Sequence, residues 1–304
     1  HAVKRGDVPG YTCFFYPWWW EPDYKLPVIG KLDYSSEEKL LIEHKSLTPE
    51  QILWRRAKKG EIGDLFYQEY PENDVDCWLT TGNSPFDAVA IRQYLLQCKE
   101  GRKETSLEVW KDVQGGKSYV IGVDAAAGLP QGDFSVAVVL DAKTCAHCAT
   151  LRGRIPPDLF AEQVERLGRR YNIALIAVER EASGNTVLKV LRDKSYPNIY
   201  FYRDFTKRMG TEIPQPGWLT SSKTRPMMID YFNSILRSNS LESYSKNLFQ
   251  EASSFIYIGV VAKAAAGQYD DELMAMLIAL IVRETSPTVG VLRHAAQQYT
   301  SLQL

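Results

Sequence analysis

The sequence predicts an α/β protein: a mixed sheet in the order βββαβαβ, then helices, preceded by a smaller helix-rich segment. Three observations predict it. The apolar runs 117–124, 133–141 and 148–155 follow one another with short connections, as in an antiparallel meander. After them, helical spacing alternates with apolar runs, as in parallel crossover units. Before about residue 110 the composition shifts toward aromatics, proline and charge.

The 304 residues are enough for one large or two modest domains, and 45 % apolar with 24 % charged residues is ordinary for a soluble chain. A net charge of −1 excludes a global basic field, so any nucleic-acid contact must come from local patches. The longest apolar run, Leu273 to Val282, is shorter than the roughly 18 residues that span a bilayer. The start HAVKRG has no secretory pattern and no Met, and reads as the start of a fragment. Five cysteines, an odd number in a long chain, suggest reduced thiols in a cytosol.

Taken in order, FFYPWWWEPDY (14–24) sets three tryptophans between prolines, where core packing is the ordinary role and base stacking the alternative. Residues 35–60 predict two helices. Leu40, Leu41 and His44 mark the first; Thr48 caps the second, with Pro49 at its first position and Gly60 past its end. A mixed, turn-rich stretch (63–87) leads to a helix over 88–101, and the polar run KEGRKETS (99–106) marks a boundary. Segment 1–111 is therefore separated from a main domain, 112–284, and a polar tail, 285–304. In the main domain the three strands precede a helix (156–171) with Leu159, Phe160, Val164 and Leu167 on one face. A buried strand (172–179), a helix (183–194) and a strand (198–204) follow, then helices at 224–238 and 242–252, a hairpin at 254–263 and an apolar helix at 269–284.

Three acidic positions end or open these elements. Asp124 closes the first strand, Glu179 closes the fourth, and Asp270 and Asp271 open the last helix. A buried, unpaired carboxylate costs several kcal/mol on rough estimates, so Asp124 needs a partner or a cation. If the first and fourth strands are parallel neighbours, their carboxyl ends lie side by side, at the edge where such sheets gather ligands. Converging acids require divalent cations, and an all-oxygen donor set suits Mg²⁺ or Mn²⁺. A pair of ions about 3.5–4 Å apart clamps the attacking and leaving oxygens of a phosphodiester. Asp124 is then expected to bridge both ions, with Glu179 on one and Asp270 or Asp271 on the other. Taken singly, each acid also reads as a turn residue or a helix cap. Asp133 is either an auxiliary acid or a turn former, and Glu181 reads as a loop residue.

These motifs resemble those of the large terminase subunit of tailed bacteriophages. VDAAAGLPQGDFS resembles the first nuclease motif of that family, IAVEREASG the second and GQYDDELMAMLIA the third, with Tyr269 where His is common. GWLTSSKTRPMMID (217–230) resembles the segment with Gly-Trp/Phe, Thr and Lys/Arg before the next helix. Residues 11–87 resemble the end of the packaging ATPase. The resemblance implies an RNase H-like endonuclease domain behind a C-terminal remnant of the ATPase domain, cutting concatemeric double-stranded viral DNA in the host cytoplasm. It also implies the portal protein and the small terminase subunit as partners. Holliday-junction resolvases and transposases use related folds with similar acids, and a non-cleaving DNA- or portal-binding module is the nonenzymatic rival.

GGKS (115–118) lacks the earlier glycine of a phosphate loop, since Lys111 stands there, and it precedes a strand rather than a helix. No ATP site is expected in this chain. Cys145-Ala-His-Cys148 has zinc-like spacing but no second cysteine pair, so a hairpin tip is the simpler reading. Arg203, Lys207, Arg208, Lys223 and Arg225, against Asp204 and Glu212, form a basic stretch expected to contact DNA phosphates without sequence preference.

Overall fold

The computed structural model describes residues 10, 12, 14–73, 84–202 and 214–286. The chain divides into two compact units, 1–99 with 249–270 and 100–248 with 271–304.

In the first unit, α1 (Ser36–Lys45) starts on a capping box between Ser35 and Glu38. Thr48 and Gln51 form a second capping box that starts α2 (Pro49–Ile62), with Pro49 in its first turn. The sequence places the end of α2 at Gly60, but the helix passes through that residue and stops at Gly63, whose φ of 58° suits a glycine. A short α3 (Phe66–Glu69) and α4 (Ala88–Gln97), capped by Asp87, follow. Trp18 is buried and stacks on Trp54 at 4.9 Å, and Trp54 stacks on Tyr24 at 4.2 Å. The tryptophan run therefore supplies core through Trp18, while Trp20 stays exposed.

The second unit holds a six-stranded sheet. β1 (Arg102–Glu104) and β2 (Leu107–Val109) form its outer edge. The expected boundary at residue 111 thus falls after two strands that belong to the sheet, because β2 pairs with β5. β3 (Tyr119–Asp124), β4 (Ser135–Asp141) and β5 (His147–Gly153) form the antiparallel meander. After α5 (Pro157–Arg170), β6 (Leu175–Val178) returns parallel to β3. Then come α6 (Ala182–Asp193), the two-residue strands β7 (Phe201–Tyr202) and β8 (Gln215–Pro216), and α7 (Thr224–Arg237). Of the strand expected over 198–204, β7 and an isolated bridge from Ile199 to Ile176 are present, and residues 203–204 lie outside the described residues. α8 (Lys246–Ser253) runs into the stretch 249–270 that belongs to the first unit and holds the hairpin of β9 (Phe255–Ile258) and β10 (Val261–Ala264), and α9 (Asp271–Thr285) belongs again to the second.

Both faces of the central strands are covered, which is why they read as continuous apolar runs. Tyr119, Ile121, Val123, Val139 and Ile176 pack with Phe160 and Val164 of α5 and Leu191 of α6. The other face lies under α9, which is buried from Asp271 to Val282. The approach is closest at Gly122, where a Cβ would lie 2.1 Å from the carbonyl oxygen of Ala275. Among the described residues no helix is long and apolar enough to cross a membrane.

Candidate active site

β3 and β6 are parallel and in register at Val123 and Val178, so the next residues, Asp124 and Glu179, sit side by side at the carboxyl ends of the strands. The Glu179 backbone N–H donates to the Val123 carbonyl at 2.9 Å. Val123 and Val178 point toward α5 and α6. Alternation therefore turns Asp124 and Glu179 to the opposite face, with Gly122, under α9. The pairing of strand ends expected from sequence is present.

The direction of α9 brings its first turn to the same edge. Asp271 Oδ2 accepts from the Phe134 N–H at 3.1 Å, Ala275 and Ala279 lie on Gly122, and the Arg283 guanidinium donates to the Ala142 carbonyl at the far end of the sheet. The N-terminal end of α9 thus overhangs the acidic edge, and its dipole favours negative charge there. Asp271 is 6 % exposed, and its bond to Phe134 ties it to the loop that carries Asp133, whose own side chain is exposed. Asp270 precedes the helix and is half-buried. Among the described residues no three His, Cys, Asp or Glu side chains form a group able to hold a metal ion. The structure brings Asp124 and Glu179 together and puts Asp271 at the same end of the sheet.

Glu179 is 8 % exposed, and burial holds its carboxyl above the ordinary value. The Thr220 hydroxyl pulls it back down, the charge of Glu181 adds to the rise, and the Asp124 carboxyl and Arg225 guanidinium lower it. Two carboxyls in contact on a buried edge favour sharing a proton or taking up a cation. Hard carboxylate oxygens with no thiol or imidazole among them fit Mg²⁺ or Mn²⁺.

Two glycines make this strand end possible. A Cβ at Gly184, in the first turn of α6, would lie 1.8 Å from the Glu179 carbonyl oxygen. Gly217, at a φ of +87°, lies against the Val178 carbonyl at 2.6 Å by the same measure. They let α6 and the 217–218 segment, where Trp218 bridges to Glu179, close on the acid from both sides. Sequence reasoning did not single out Thr220 beside Glu179. Its signal was its place two residues after Gly217-Trp218 in a quoted motif.

A second missed residue is Glu272, fully buried in the first turn of α9. It accepts from the hydroxyls of Ser245 and of Thr150 (3.3 Å) and pairs with Arg152 at 3.6 Å. Thr150 also meets His147 Nε2 at 2.7 Å, and His147 Nδ1 meets Ser243 Oγ at 2.9 Å. Burial pushes His147 down to about 3, so it is neutral in this network, which anchors the start of α9. Arg152 and Arg154 each lie 4.2 Å from the centre of the Phe134 ring, and Arg154 donates to the Gly132 carbonyl at 2.9 Å, bracing the loop before β4.

The remaining motifs resolve simply. Lys117 of GGKS enters β3 from a turn and pairs with Asp141 at 2.8 Å. Cys145 and Cys148 are buried free thiols, and His147 between them is committed to Ser243 and Thr150. Lys223 is exposed just before α7, and Arg225 is half-buried in its first turn, near enough to act on Glu179. Arg203, Lys207 and Arg208 lie outside the described residues, as does the expected tail from 287 onward.

No family model and no curated protein matches the chain. Solved structures do. The large terminase nuclease of thermophilic phage G20c with bound magnesium is similar with a TM-score of 0.52 and 18 % identity, over 66 % of this chain and 98 % of that one. The cobalt-bound form of the same nuclease gives the same values. The large terminase nuclease domain of Thermus phage P74-26 has a TM-score of 0.51 and 19 % identity, over 67 % of this chain and 97 % of that one. The chain therefore has the RNase H-like fold of the large terminase nuclease domains.

Proposed function

We propose that this chain is a metal-dependent DNA endonuclease of a viral genome-packaging motor, cutting concatemeric double-stranded DNA. The observation that carries the reading is the contact of Asp124 with Glu179 at the carboxyl edge of parallel β3 and β6, under the start of α9. Fold likeness to nucleases solved with magnesium and cobalt supports it. Asp124, Glu179 and Asp270 or Asp271 would hold two Mg²⁺ or Mn²⁺ ions, with Asp133 as an auxiliary acid. Bound ions would supply Lewis-acid activation of water and neutralise charge on the phosphate. The chain's own groups shape the edge: Thr220 and Arg225 oppose part of the rise that burial gives Glu179, and the first turn of α9 lies at the same end of the sheet. Lys223 and Arg225, with Arg203, Lys207 and Arg208, would position the duplex through its phosphates, so cutting should be largely independent of sequence. Portal protein and small terminase subunit are the proposed partners, in the host cytoplasm.

The rival reading is a non-cleaving DNA- or portal-binding module. It draws on the lack of a third acid in the Asp124–Glu179 group among the described residues. Incubating plasmid with the chain in Mn²⁺, Mg²⁺ or EDTA separates the two. Metal-dependent cutting that disappears in Asp124→Ala and in Glu179→Ala is expected. Cutting that survives both substitutions removes the assignment, and junction-specific cutting would favour a resolvase.

A further inference from the structure

We propose a second phosphate-binding surface, on the face of β6 opposite the acids: the cleft between α6 and β8 holds the sugar-phosphate backbone of the DNA strand that crosses the active edge. The proposal rests on the DNA-cutting reading above. The cleft has a volume of about 540 Å³ and is lined by Arg180, Asn185, Lys189, Arg192, Asp193 and Gln215. Three cations face one acid there. The i, i+4, i+7 spacing of Asn185, Lys189 and Arg192 puts all three on one stripe of α6, and all three are exposed.

Arg180 is the key group. It directly follows Glu179, and alternation sends the two side chains to opposite faces: Glu179 to the α9 side, Arg180 to the cleft. Arg180 is half-buried; among the described residues its guanidinium pairs with no carboxylate and lies 5.8 Å from the centre of the Tyr202 ring. Its Nη1 donates to the neutral amide of Gln215, and its buried Nε has no acceptor among the described residues. A half-buried guanidinium held by a neutral amide and a ring face, with its Nε unsatisfied, keeps donors for an anion. Its planar fork matches a phosphate. Arg192 likewise pairs with no acid among the described residues. Lys189 meets Asp193 at 3.0 Å, but both side chains are mostly exposed (77 % and 63 %), so the pair is weak and open to exchange. The cleft contains no buried aromatic platform for a base. Arginine and lysine charge, flanked by the amides of Asn185 and Gln215, addresses phosphate and sugar rather than sequence. One strand could therefore engage the acids on one side of the β6 end and these cations on the other.

The test uses the full chain and a fluorescent duplex in EDTA, with anisotropy read across a salt series. Lys189→Ala/Arg192→Ala removes two exposed cations without touching the core or the acids. If each contacts one phosphate, the slope of log K against log salt should become shallower by about 1.8. With binding level at 1 M salt, that is about 60-fold weaker binding at 0.1 M. A wild-type slope and affinity in the double variant would overturn the proposal. Asp124→Asn, run alongside, keeps the two readings apart: it should lose cutting and keep binding. If it still cuts plasmid in Mn²⁺, the assignment of Asp124 to the active site falls while the cleft is judged on its slope. If the wild-type chain does not bind duplex at all, both fall.

Discussion

Replacing Gly122 by alanine tests whether α9 must lie directly on β3 for the acids to meet. The added Cβ would sit 2.1 Å from the Ala275 carbonyl oxygen, 2.6 Å from the Ala279 nitrogen and 2.9 Å from the Ala279 Cβ. Ordinary contact begins at 3.4 Å, so strand and helix must part locally by about 1.3 Å. Two of the three obstructing atoms are backbone, and no side-chain rotation relieves them. Overpacking of this kind costs about 1–3 kcal/mol, and a domain of this size loses roughly 2–4 °C of Tm per kcal/mol. The functional effect should be larger than the stability effect. Asp124 lies one pleat beyond Gly122 on β3, and Asp271 lies one helical turn before Ala275 on α9. A wedge between Gly122 and Ala275 thus moves the acids of β3 away from those of α9. A misplacement of about 1 Å can cost on the order of 100-fold in rate. The assay is single-turnover plasmid cleavage at saturating Mn²⁺, paired with a thermal melt. Gly60→Ala is the control: no atom lies within 4 Å of its added Cβ, and alanine should stabilise α2 by at most about 1 kcal/mol. A Gly122→Ala protein with wild-type melting and wild-type cleavage would refute the argument.

In metal-free buffer, Glu179→Gln should melt higher than wild type at neutral pH, because burial raises the Glu179 carboxyl above its ordinary value of 4.5. The stability of the protonated form is fully present below that value and is lost as pH rises through the folded one, so the gap between the proteins should open across that window. A gap that does not change with pH would count against it, as would Mn²⁺ raising the melting temperature of both proteins equally. Arg55→Ala should destabilise the amino-terminal unit by about 3–5 kcal/mol. The guanidinium is 2 % exposed and held by Glu37 at 2.7 Å and Glu72 at 2.9 Å, so its removal strands two acids. Urea unfolding followed by tryptophan fluorescence measures this, and a loss below about 1 kcal/mol would be the wrong result.

What the sequence made legible was the part governed by local periodicity. The meander, the return of β6 beside β3 and the long α9 all follow from apolar runs and helical spacing, and the Asp124–Glu179 pairing follows from parallel register alone. Element ends depend on what they meet. α2 runs past Gly60 because that glycine faces open space and nothing there stops the helix. Within the described part of the strand expected at 198–204, only Phe201 and Tyr202 form a ladder, with Pro216 and Gln215, while Ile199 contributes an isolated bridge to Ile176. The two edge strands before residue 111 went unseen because Arg102–Glu104 and Leu107–Val109 are too short and too polar to read as strands. Thr220 and Glu272 could not be ranked from sequence. Their roles come from the long-range approach of 218–220 to β6 and of α9 to β5.

The burial that makes Glu179 a liability beside the half-buried Asp124 is also what would make the pair a strong cation site. Water screens the buried Glu179 little, so a neighbouring charge is felt there at close range. The chain offsets only part of this: Thr220 and Arg225 lower Glu179, yet burial leaves its carboxyl above the ordinary value. More basic groups at the edge would settle the charge permanently and leave no need for an ion. Instead, Arg152 is spent on Glu272 and Phe134, and Arg154 on Phe134 and Gly132, beside the acids but committed to the scaffold. Replacing either arginine should therefore loosen the loop before β4 more than it changes the charge that Asp124 and Glu179 feel.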